Sequence, residues 1–199
     1  MGAIVPVVVA LMIVAIGYGW YVALITRRNK ALEALSSIDV QLRKRHDLIP
    51  NVLRLAQQFM THERELITRL TELRTRAQER YDPSRPDDVE AHLSAEGALQ
   101  GGMRQLFAVA ENYPELRSSE TIVQAQQTFN EVEGHIAASR RFYNAAVTRL
   151  NNAVQIFPGS MIAGMTGIRG MPFFEIEDDV VRQPVNADDY LRAGDRPTV

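Results

Sequence analysis

The chain has 199 residues, 46% of them hydrophobic and 23% charged, enough for one packed core with appendages. A net charge of −2 supplies no global basic field and gives no footing for nucleic acid. The absence of cysteine removes disulfides, thiolate metal sites and a cysteine nucleophile.

Residues 3–25 carry no charged side chain and are rich in Val, Ile, Leu, Ala and Met. A bilayer core takes about 20 consecutive apolar residues in a helix, so this run is long enough to span one. Trp20 and Tyr21 stand near its end, where aromatic rings settle at the headgroup level, and Arg27, Arg28 and Lys30 follow at once. Cations flanking a membrane helix stay on the cytoplasmic side. The expectation is therefore a single-pass protein of the cell membrane, with a short external N-terminus and the rest of the chain in the cytoplasm. A cleaved signal peptide would instead have a basic start and a shorter apolar run, but here the charges follow the run. N-myristoylation is also poorly matched, because Pro6 stands where Ser or Thr is required.

From residue 29 to 77 the apolar positions recur at alternating spacings of three and four. They are Leu35, Ile38, Leu42, Ile49, Val52, Ala56, Phe59, Leu66, Leu70, Leu73 and Ala77, interrupted only by Arg45 and Glu63. Such spacing places them on one helix face. The stripe keeps its phase across Pro50, which predicts one long helix, kinked where the proline lacks an N–H and crowds the His46 carbonyl. The segment YDPSRPDD at 81–88 breaks it.

A second helix is expected over 89–113, with Leu99, Met103, Leu106, Ala110 and Tyr113 on one face and Pro114 marking its end. Gly97, Gly101 and Gly102 each weaken it by ~1 kcal/mol relative to alanine, or admit a close neighbour. Ser118 or Ser119 caps a third helix. Its seam runs Ile122, Ala125, Phe129, Val132, Ile136, Ser139, Tyr143, Ala146, Leu150, Ala153 and Phe157, and Pro158-Gly159 stops it.

The predicted fold is all-α. It has an external N-terminus and transmembrane helix over 1–28, an antiparallel bundle of three long helices over 29–157, and a Gly-rich segment with an acidic tail over 158–199. Little regular structure is expected after Pro158, with Phe173, Phe174 and Ile176 clipping back onto the bundle and a mobile tail beyond.

Arg45 on an apolar seam requires a partner, and Glu63, Glu111 and Glu131 are the candidates, with helix register as the role. His46 and Asp47 beside Pro50 are expected to satisfy the interrupted helix ladder; a pH- or ligand-sensing spot around His46 and His62 is the competing reading. His62-Glu63 opens like a zinc-protease motif, but residue 66 is leucine and the second helical ligand is missing. Arg140 and Arg141 read as a solvated face or a contact for acidic lipid or a partner. The Gly-rich segment follows no strand and lacks the closing Gly-Lys-Ser/Thr of a phosphate loop. With no catalytic set, metal spacing or cofactor fingerprint above background, a non-enzymatic protein without cofactor is expected.

Residues 37–51, SIDVQLRKRHDLIPN, resemble the signature segment of the LemA family. Residues 108–116, AVAENYPEL, agree with it, as do Glu133, Ile136-Ala137, residues 140–144 (RRFYN), Asn151 and Phe157-Pro158. The resemblance covers roughly residues 28–175; the linker 80–90 and the long acidic tail depart from the pattern. It implies a bacterial protein with one N-terminal membrane helix, an external N-terminus and an antiparallel bundle, with no established enzymatic activity. A relative linked to magnetosome membrane formation makes membrane organisation the leading expectation. The matching positions are Asp39, Arg45, His46, Asp47, Pro50 and Asn51, then Glu111, Tyr113 and Pro114, then Arg140, Arg141, Tyr143 and Asn144, taken as structural or interaction residues. The expected partners are the lipid bilayer, further copies of the chain in a homo-oligomer, and an unidentified protein.

Overall fold

A computed structural model describes residues 4–175, so Ile176 and the acidic residues beyond it lie outside the described residues. Within them the chain forms six helices and no strand: α1 (Ile4–Phe59), α2 (Arg64–Ala77), α3 (Pro86–Ala110), α4 (Pro114–Arg117), α5 (Glu120–Gln155) and α6 (Gly159–Thr166). The all-α expectation holds.

The 56 residues of α1 run about 84 Å at the usual rise per residue. Among the described residues nothing clothes its first part. Val7, Leu11 and Val14 are all more than half exposed, as an apolar segment is when lipid is its solvent. From Leu24 onward the same helix turns one face into a core, burying Ala31, Leu35, Ile38, Leu42, Ile49, Val52 and Ala56. The predicted stripe is therefore the buried one, and α1 passes through Pro50 without ending there.

The helix stops at Phe59, which the sequence did not announce. The chain reverses over residues 60–63, with Met60 fully buried as the pivot and the Glu63 N–H donating to the Met60 carbonyl at 3.2 Å. Packing explains the break. Arg45 lies opposite Glu133 on the antiparallel α5, so α1 runs out of partner near Glu120, where α5 begins. A straight continuation would carry Leu66, Ile67 and Leu70 into water, whereas folding back buries all three. The three long helices expected are thus four packed ones, with α1 and α3 running one way and α2 and α5 the other.

Local chemistry fixes the other ends. Pro86 opens α3, and Asp87 and Asp88 lie in its first turn, where the helix dipole favours them. Asp82 folds the preceding loop by accepting the Ser84 N–H at 2.8 Å and its hydroxyl at 2.7 Å, and these bonds hold its carboxyl below the usual range. Ser119 occupies the position before α5, but its backbone carbonyl rather than its side chain takes the first N–H groups, those of Ile122 and Val123. Of the three glycines of α3, only Gly102 faces a close neighbour. A Cβ there would lie 2.6 Å from a Leu70 methyl, while Gly97 and Gly101 face open space.

Three expectations near the C-terminal end need correction. Phe157 is 72% exposed and does not continue the α5 seam. The Gly-rich stretch after Pro158 forms α6, closed by Gly167 at φ 70°, the left-handed conformation that glycine adopts without strain. Phe174 does clip onto the bundle, but Phe173 turns outward.

Candidate functional site

Among the described residues the core consists of two apolar clusters. One gathers Leu24 to Leu42 of α1 with Val89, Leu93, Val132, Ile136 and Leu150. The other gathers Ile49 to Met60 with Leu70, Leu99, Met103, Leu106 and Phe129. Between them lies a polar layer built on Arg45, which is 1% exposed. Its Nη1 donates to Glu133 Oε1 at 2.9 Å, and its Nη2 donates to both the Glu96 carboxylate and the Glu96 carbonyl, the latter at 3.1 Å. His46 Nε2 meets Glu96 Oε1 at 2.9 Å, and the Gln100 amide donates to Glu133.

Two carboxylates thus face one guanidinium and one imidazole, drawn from α1, α3 and α5. Such a layer costs desolvation and returns it only when helices sit at one axial setting, so it specifies register more than it adds stability. The expected partners of Arg45 are corrected: Glu63 instead accepts the Tyr113 hydroxyl at 3.3 Å, and Glu111 and Glu131 face solvent. His46 likewise satisfies Glu96 rather than the interrupted α1 ladder.

A second cluster pins the loop before α3 onto α1. The Tyr81 hydroxyl donates to Asp39 Oδ2 at 2.8 Å, and the Tyr81 ring stacks on His92 with centroids 4.1 Å apart and an 11° interplanar angle. His92 Nε2 lies 3.6 Å from the other Asp39 oxygen. Burial and the adjacent Asp39 carboxylate push the Tyr81 hydroxyl well above its ordinary range and keep it a donor. Tyr81 and His92 also line a cleft of about 610 Å³ with Leu73, Arg76 and Asp88. Sequence reasoning placed Tyr81 in a breaker segment and missed this role. An aromatic residue beside two prolines was the available signal.

The third cluster holds the C-terminal strap to α5. Asn151 accepts the Met171 N–H and donates to the Met171 carbonyl, both at 2.9 Å; Asn144 does the same for Phe174 at 2.9 and 3.2 Å. The two asparagines stand seven residues apart on one helix face, and each mimics a strand partner for an extended backbone. The Tyr143 hydroxyl completes the arrangement by donating to the Pro172 carbonyl at 2.8 Å, and burial raises its pKa above the ordinary tyrosine range.

Six signature positions therefore build these clusters or their flanks: Asp39, Arg45, His46, Tyr113, Tyr143 and Asn144. Asp47, Asn51, Glu111, Pro114 and Arg141 point outward, and Pro50 and Arg140 are half-buried. At the apolar end of α1, Trp20 is half-buried, Tyr21 and Lys30 are exposed, and Arg27 and Arg28 are partly covered. Among the described residues no group of three or more His, Asp and Glu is arranged to hold a metal ion.

Fold and clusters together define an all-α, membrane-associated protein: an antiparallel bundle tied by internal polar layers and carried on one apolar helix. Residues 34–188 match the LemA family, and the chain belongs to it. Over 86 residues it is 31% identical to magnetosome protein MamQ 2 of Paramagnetospirillum magneticum, an alignment covering 43% of this chain and 32% of that one. Over 85 residues it is 28% identical to magnetosome protein MamQ of Magnetospirillum gryphiswaldense, covering 43% and 31% respectively. The match spans about a third of the length of these curated relatives.

Proposed function

We propose that this chain is a non-enzymatic membrane protein whose bundles assemble with one another and so organise or shape the bilayer that holds them. The observation that carries the reading is that α1 is one unbroken helix, apolar and uncovered at residues 4–16 and core-forming from Leu24 to Ala56. Any orientation that neighbouring bundles impose is transmitted along that helix to the lipid without a flexible joint. Arg27, Arg28 and Lys30, following the apolar run, support an orientation with the bundle on the cytoplasmic side and the N-terminus outside. The buried Arg45 and His46 are turned on Glu96 and Glu133 of neighbouring helices, an arrangement that ties helices together as a scaffold requires. Relatives named as magnetosome proteins are in line with this role.

Imaging the protein purified with its native lipids, with light scattering on the same preparation, is the test. Multi-copy assemblies on curved or patterned bilayer are expected; strictly single-copy particles on unaltered membrane would overturn the reading. A second reading, an adaptor that recruits a protein such as a membrane protease, is favoured by the cleft beside Tyr81 and His92. It predicts that Ala91→Arg and Ala95→Arg in that cleft abolish partner capture while the helical content is kept.

A further inference from the structure

The corner where α5 gives way to α6 carries an apolar surface that the bundle does not use. Ile156 is 61% exposed, Phe157 72%, Met161 61% and Met165 84%. The opposite face of α6 is buried, with Ala163 in the same cluster as Leu24 and with Ile162 packed against it. This small helix is therefore fixed in place with its apolar outer face uncovered.

Its position says what covers it. A Cβ on Gly159 would stand 3.8 Å from the Trp20 ring, so α6 begins level with the aromatic end of the membrane segment. The sequence agrees, since no charged residue occurs from Leu150 to Ile168, a gap bounded by Arg149 and Arg169. An uncharged corner bordered by arginines, level with interfacial Trp and Tyr, is what an element lying in the headgroup and acyl boundary requires. Phe142 of α5, 75% exposed, lies about four helical turns nearer the start of that helix and away from the corner.

We infer that the α5–α6 corner is a second, monotopic membrane contact, with Ile156, Phe157, Met161 and Met165 seated in the leaflet where Trp20 and Tyr21 sit. The anchor is then a helix plus a lateral foot. Two points of contact fix the tilt and rotation of the bundle relative to the bilayer, which one helix leaves free. The inference rests on residues 3–25 spanning the membrane.

The chain has no cysteine, so single cysteines give clean probes. Nitroxide labels would be placed at Val14, Phe142, Met161 and Met165 of the full chain in phosphatidylcholine–phosphatidylglycerol vesicles, and their collisions with oxygen and with a water-soluble nickel chelate measured. The expected order of oxygen-to-nickel ratio is Val14 highest, Met161 and Met165 intermediate, Phe142 lowest. Ratios at Met161 and Met165 equal to that at Phe142, with Val14 still deep, would overturn the lateral foot and leave the anchor standing. Labels at Met161 and Met165 shielded from both reagents would assign the corner to contact between copies and equally overturn it. An aqueous Val14 would remove the anchor, and the foot with it.

Discussion

Replacing Arg45 by alanine is the most informative perturbation of the bundle. The guanidinium is 1% exposed and neutralises Glu96, which is fully buried, together with the mostly buried Glu133. Its removal leaves two carboxylates against His46 and Gln100 in a space closed above and below by apolar clusters. Stranding a buried charge in this way costs about 3–5 kcal/mol. For a chain of this size that corresponds to a fall in thermal midpoint of roughly 6–20 °C. Removing the whole layer at once, as Arg45→Met with His46→Leu, Glu96→Leu, Gln100→Leu and Glu133→Leu, replaces polar groups by packing groups and is expected to be neutral or stabilising by about 1–4 kcal/mol. Thermal unfolding of the full chain in bilayer nanodiscs, followed by far-ultraviolet circular dichroism, measures both. If Arg45→Ala costs no more than the ~0.5 kcal/mol typical of a surface substitution, the layer is not an interdependent buried network and the reasoning fails.

Two glycine substitutions should move stability in opposite directions in the same assay. Gly159→Ala would set a Cβ 2.0 Å from the Ala153 carbonyl oxygen and should destabilise by about 1–3 kcal/mol, while Gly97→Ala meets nothing and should stabilise by about 0.5–1 kcal/mol. Asn144→Ala with Asn151→Ala should speed amide hydrogen exchange at Met171 and Phe174 well above wild type and leave the α1 core amides unchanged. Alkaline pH should loosen the bundle. Tyr81 and Tyr143 have folded pKa values raised above the ~10 of an unfolded tyrosine, so the stability they contribute is full below about pH 10 and is lost as pH climbs past it. A double Tyr81→Phe, Tyr143→Phe variant should therefore lose less stability between pH 9 and pH 11 than wild type, the slope falling by at most about 1.4 kcal/mol per pH unit for each group removed.

The helices and their faces were legible because burial repeats with helical period, and Leu35, Leu42, Leu99, Phe129 and Ile136 all landed inside. The turn at residues 60–63 was not, since Thr61, His62 and Glu63 include no glycine or proline and the break is dictated by where α5 begins. That one reversal decides the rest of the polar layer. Once α2 folds back, α3 runs beside α1 and Glu96 comes level with Arg45, a pairing 51 residues apart that no local pattern encodes. Glu131 and Glu133 illustrate the same limit, since a shift of two residues turns a side chain from solvent to core on a helix. Glycines at 159, 164 and 167 argued against α6 by propensity, yet packing of Ala163 and the close approach at Gly159 overrode it. The strap had a visible apolar signal in Phe174, but the Asn144 and Asn151 clamps bind backbone and leave no complementary pattern in the sequence.

Everything proposed for this LemA-family chain depends on its first helix remaining in lipid. Alkaline carbonate extraction of membranes bearing the full chain, with the N-terminal residue of the recovered protein read by mass spectrometry, tests that directly. The account predicts a pelleted protein that still contains residues 4–25. A protein released to the supernatant, or one that begins beyond residue 25, would contradict it.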